Sequence, residues 1–225
     1  MQRIKAFISY SSHDCSKKSG ILKELLQKYL GFESFTAHTD IPGGKNFNEM
    51  IIRQIKLSHV FLPLISESSE KSIFVNQEIG ISIGGSKPII PIKTNRNPFG
   101  FISHIQALKF PDLVSISDNI TLKYVDLSSK IFYSLFQDVS LIDLRVLLFE
   151  SLLYALSTSP SFFTANVVGQ LIFNSLKIER FNDKYNKDIC NFIKNNRYAN
   201  QEAYFMPNLK KRIKLQLIIL LIMSS

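Results

Sequence analysis

The sequence predicts an α/β fold, a parallel sheet with helices on both faces, followed by an all-helical C-terminal region. Up to about residue 112, short apolar runs alternate with segments of helical period across short connections, the pattern of successive βαβ units. From residue 113 the strand-like runs stop and helical segments alone follow. Polar stretches come directly after each of the first three apolar runs, where a parallel sheet gathers its ligand-binding rim.

The first element, IKAFIS (4–9), is a short apolar run with a polar end, as expected of a buried parallel strand. GILKELLQKYL sets Ile21, Leu22, Leu25, Leu26 and Tyr29 on one helical face, with Asp14 and Ser16 as candidate caps and Gly31 as terminator. FESFTA (32–37) alternates as the second strand, HTDIPGGKN (38–46) is a loop by its Pro-Gly-Gly content, and FNEMIIRQIK is the second helix. HVFLPLIS (59–66) is the third strand, SIFVNQEIGISIG the third helix, KPIIPIK (87–93) the fourth strand and IQALKF (105–110) a short fifth. Beyond them, VDLSSKIFYSLFQDV, LIDLRVLLFESLLYAL, SFFTANVVGQLIFNSLK, FNDKYNKDICNFIKNN and NLKKRIKLQLIILLI read as helices, with STSPS (157–161) as a linker. The expected division is an α/β domain over 1–112 and a helical region over 113–225 serving recognition or assembly.

With 45% hydrophobic and 12% aromatic residues but no Trp, the chain should pack a core of Phe, Ile and Leu. The net charge of +9 is spread: residues 1–112 carry 14 basic and 9 acidic groups, residues 113–225 carry 13 and 9. A spread excess lacks the focused stripe of a nucleic-acid binder, so nucleic acid is not an expected partner. Cys15 and Cys190 stand far apart without zinc spacing, which argues against a disulfide framework or metal site and for a reducing cytoplasm. No leader is expected from MQRIKAFISY, and the apolar tail LIILLIM (217–223) falls short of the roughly 20 residues that span a bilayer, so no membrane association is expected.

Several short signals are bland. GISIGG (80–85) follows a helix and precedes a strand, the reverse of a dinucleotide fingerprint, and Lys45 lacks Walker spacing. His13 has no Gly-x-Ser-x-Gly elbow to serve, and the end of the first strand lacks the acidic cluster of a phosphoacceptor domain. Gly43 and Gly44 read either as turn punctuation or as a hinge.

KAFISYSSHD (5–14), GFESFTAHTDIPGGKNF (31–47) and SIFVNQEIG (72–80), in that order on a βα pattern, resemble a Toll/interleukin-1 receptor (TIR) domain, most of all its bacterial and archaeal branch. The resemblance covers about half the chain and implies a flavodoxin-like five-stranded sheet. In many members it also implies cleavage of NAD+ to nicotinamide and ADP-ribose or a cyclic isomer, in antiviral defence systems such as Thoeris. It implies NAD+ as a substrate with no cofactor, assembly through TIR–TIR contacts, and an effector that responds to the product. The alternative it carries is a non-catalytic adaptor that assembles with like domains.

On this reading Glu78 is catalytic, and Ser9, Tyr10, Ser11, Ser12, Asp40, Phe47 and Phe74 are the substrate-binding set. Phe74 precedes Glu78 by four residues, so a helix presents both on one face. The family more often has Trp there. Ser9, Ser11 and Ser12 end a strand, where hydroxyls and amides suit a diphosphate. Without the resemblance, a lone Glu on a surface helix would read as a solvated side chain.

Overall fold

The computed structural model describes residues 2–40, 47–112 and 118–178. The Gly43–Gly44 segment with Lys45, the last two expected helices, the apolar tail and Cys190 lie outside these residues.

Five strands form one parallel sheet: β1 (Lys5–Ser9), β2 (Glu33–Thr36), β3 (Val60–Ile65), β4 (Ile92–Lys93) and β5 (Leu108–Lys109). Their spatial order, β2-β1-β3-β4-β5, is that of flavodoxin-like folds, whose topological switch falls between β1 and β3. The helices are α1 (Ser16–Leu25), α2 (Ala37–Asp40), α3 (Phe47–Leu57), α4 (Glu67–Lys71), α5 (Ile73–Gly84), α6 (Asp118–Phe136), α7 (Arg145–Ser157) and α8 (Phe162–Ile178). Among the described residues no helix is long and apolar enough to cross a membrane.

Strand alternation divides the core in two. Ala6 and Ile8 of β1 and Val60, Leu62 and Leu64 of β3 enter a large cluster with α1, α6, α7 and α8. Phe7 and Phe61, stacked with ring centroids 5.6 Å apart, enter a smaller one with Ile51 and Ile55 of α3 and Val75 and Ile79 of α5. The helices beyond residue 118 therefore share one core with the sheet. A π-helical turn over Leu26–Leu30 ends α1 against α7 and α8, and Gly31 at φ 69° closes it; a Cβ there would stand 2.0 Å from the Ser151 carbonyl oxygen. Ser151 Oγ also accepts the Ile4 amide at 2.8 Å, and the Arg3 guanidinium lies 4.1 Å from the centre of the Tyr154 ring.

Several elements differ from expectation. The expected fourth strand over 87–93 narrows to Ile92–Lys93 plus an isolated bridge between Phe61 and Ile89. The register that pairs Phe61 with Ile89 and Leu64 with Ile92 sets Pro63 opposite Pro91, and a proline nitrogen cannot donate to the ladder. The fifth strand shortens to two residues, and residues 37–40, expected as strand end and loop, form α2. α4 was not expected; Ser66 and Ser69 cap it reciprocally. Neither expected cap serves α1. Ser16 Oγ donates to the Ser12 carbonyl, and Asp14 instead accepts from Ser66 Oγ at 2.9 Å and the Ser68 amide at 3.3 Å, at the start of α4.

Candidate active site

α5 begins where the Ser72 hydroxyl accepts the Val75 amide, and Asn76 ties the same turn to the Glu70 and Ser72 carbonyls. Its buried residues are Val75, Glu78, Ile79 and Ser82, the spacing of one helical stripe. Glu78 thus occupies a core-facing position rather than the solvated one that a lone glutamate usually takes. It is 6% exposed. The end of its side chain meets Ser9, the last residue of β1, whose Oγ donates to Oε2. Ser9 projects to the same side as Phe7, two residues earlier, so the apolar row of that face ends in a hydroxyl at the rim.

Burial raises the Glu78 pKa to about 7, and the Ser9 hydrogen bond offsets only part of that rise. A carboxyl held there changes charge near neutrality, as general acids and bases often do.

Glu78 opens onto a cavity of about 230 Å³ that it lines with Ile8, Tyr10, Ser11, Ser12, His13, Ala37, Phe47, Ser72 and Phe74. Phe47 and Phe74 meet edge to face with ring centroids 6.2 Å apart, and Phe74 remains 53% exposed. Of the sequence-predicted set, the fold brings together Tyr10, Ser11, Ser12, Phe47, Phe74 and Glu78 around the cavity, with Ser9 behind Glu78.

Asp40 does not join them. Its carboxylate accepts from Lys23 Nζ at 2.6 and 2.7 Å and from the Thr36 amide at 2.8 Å, closing α2 against the end of β2. Partial burial alone would raise its pKa, but the Lys23 and Thr36 hydrogen bonds outweigh that and hold it below the ordinary value. The turn at residues 37–40 aims Asp40 back at α1, where the ion pair with Lys23 holds it.

His13, Ala37 and Ser72 were not singled out as cavity residues. His13 lies in the same rim segment as Ser11 and Ser12, and Ser72 directly precedes the Phe74–Glu78 helix, so position relative to the strand ends was the available signal. Among the described residues no three His, Cys, Asp or Glu side chains gather as a metal-holding group. Cys15 is a buried thiol whose pKa burial raises.

A family model described as a TIR domain matches residues 6–128, more than half of the chain. The chain belongs to the TIR domain family. Its match runs past residue 112 into α6. No curated protein matches the chain. Among solved structures, the TIR domain of the Toll-related receptor TRR-2 from Hydra magnipapillata is 23% identical with a TM-score of 0.42, over 47% of this chain and 82% of its own. A 2-deoxyribosyltransferase from Bacillus psychrosaccharolyticus is 17% identical with a TM-score of 0.36, over 52% of this chain and 95% of its own.

Proposed function

We propose that this TIR protein cleaves NAD+ between nicotinamide and ribose, releasing nicotinamide with ADP-ribose or a cyclic ADP-ribose isomer. The observation that carries the reading is the Glu78 carboxylate, withdrawn from water at the rim of the sheet and opening onto an aromatic-walled cavity. The nicotinamide ring is cationic in NAD+ and departs neutral, so no acid need protonate it. What remains is positive charge growing on the ribose, which one preorganised carboxylate stabilises, whereas ordinary glycosidases need two. Phe47 and Phe74 give nicotinamide or ribose an apolar wall, and Ser11 and Ser12 offer polar groups to the diphosphate.

In this reading NAD+ is substrate rather than cofactor. The protein acts in the cytoplasm of a prokaryote, assembles through TIR–TIR contacts, and makes a product that switches a separate effector in antiviral signalling of the Thoeris type. The second reading, a non-catalytic adaptor, is favoured by the exposure of Ile73 (72%) and Phe74 (53%), apolar side chains suited to contact with a second TIR domain.

Wild-type protein and Glu78→Gln, each concentrated or crowded, should be incubated with NAD+ and followed for nicotinamide. The expected result is release by wild type and a loss of at least about a hundredfold in the variant. If crowded wild type releases none, the adaptor reading replaces the enzyme.

A further inference from the structure

We infer that Ser9 is a positioning residue for Glu78: its hydroxyl holds Oε2 and leaves Oε1 to the cavity, and Ser9 itself does not touch the substrate. The contact stands by itself, while its catalytic consequence rests on the NAD+-cleaving reading. Ser9 is 1% exposed and, unlike Ser11 and Ser12, does not line the cavity. Its backbone pairs with Pro63 of β3, and the β1–β2 pairing runs up to the preceding residue, Ile8. The backbone of Glu78 is tied as well, because Ser82 Oγ donates to the Glu78 main-chain carbonyl at 2.8 Å within α5.

A buried carboxylate needs a donor or a cation. The other titratable groups lining the cavity are Tyr10 and His13. The elements packed on α5 supply no counter-ion there among the described residues: Glu49, Arg53 and Lys56 of α3 and Glu67, Glu70 and Lys71 of α4 stand outside the lining, and β3 and the turn at Gly100–Ile102 carry no charged side chain. Burial is the larger influence on Glu78 and favours the neutral acid; the Ser9 hydrogen bond opposes it. Among the described residues, this hydroxyl is thus the side chain that both aims the carboxylate and favours its ionised form. A merely space-filling serine would do neither.

The test uses the full chain, labelled with 13C at glutamate carboxyls, as wild type, Ser9→Ala and Ser9→Thr. The Glu78 signal is assigned by its loss in Glu78→Gln, and thermal melts check folding. In Ser9→Ala the Glu78 titration should move up by roughly one pH unit, since a lost hydrogen bond to a charged group is of that size. The acid limb of kcat/KM should follow it, with kcat reduced about ten- to a hundredfold and KM little changed. Ser9→Thr keeps the hydroxyl and should restore the titration. An unmoved Glu78 titration in Ser9→Ala, or a raised KM with unchanged kcat, overturns the inference. If the titration moves but wild type releases no nicotinamide, Ser9 still positions Glu78 and the NAD+-cleaving reading is what fails.

Discussion

On one face of the sheet, α1, α6, α7 and α8 bury Leu22, Leu26, Phe132, Phe136, Phe149 and Leu152, and the serines caught among them bond to carbonyls one turn back. On the other face, α3 and α5 bury fewer side chains and include a carboxyl group that has, among the described residues, a single hydroxyl for a partner. The first face is built as a core should be, while the second holds a group that burial disfavours in its charged form. Stability gathered on one side tolerates a destabilising group on the other, and strained or costly features concentrate where chemistry is done.

The sharpest way to break this contrast is to attack the seam of the stable face. Gly31→Ala puts a Cβ 2.0 Å from the Ser151 carbonyl oxygen in a left-handed backbone, so α7 must move away from α1 and the sheet. We expect a loss on the order of 4 kcal/mol or more in thermal unfolding. A loss under about 1 kcal/mol would mean that the helical region is only loosely held.

The opposite sign is expected at Glu78. Its pKa rises from 4.5 to about 7 on folding, so the folded state prefers the neutral acid. The stability this gives is fully present below the unfolded value and is lost as pH rises through about 7. Glu78→Gln should therefore match wild type near pH 4 and exceed it by about 3 kcal/mol at pH 8. Denaturant melts at the two pH values decide it, and a gap independent of pH would refute the costly-carboxyl account. A smaller effect separates the faces further: Ser151→Ala strands the buried Ile4 amide and should cost about 1–3 kcal/mol at any pH, measured the same way.

Much of this contrast was legible in the sequence. The short apolar run at residues 4–8, interrupted only by Lys5, announced a buried strand, and the spacing of Phe74 and Glu78 set both on one face of α5. The same spacing held a fact that was passed over: Glu78 falls on the stripe of Val75, Ile79 and Ser82, which marks it as buried. The Asp40–Lys23 pair was not legible, because the partners stand 17 residues apart on different helices and such a pairing leaves no periodic trace. α4 is five residues long and apolar nowhere, so only its Ser66–Ser69 capping pair signalled it. The shortened fourth strand came from Pro63 of β3, whose missing N–H faces the 87–93 segment, so the break lies in a strand other than the one it shortens and cannot be seen in that segment alone.

Pro63 also bears on how the molecule opens. β1 is laced continuously to β2 and to β3, whereas the boundary between β3 and β4 lacks a rung in its middle. Cooperative units of a fold part where backbone bonding is sparsest. The strip carrying β4 and β5 is therefore the natural first panel to swing free, and amide hydrogens of Ile90 and Thr94, whose bonds cross to Phe61 and Ile65 of β3, should trade with solvent through openings that leave β1, Ser9 and Glu78 folded together. Breathing of the sheet and integrity of the candidate site are, by that one missing rung, separated from each other.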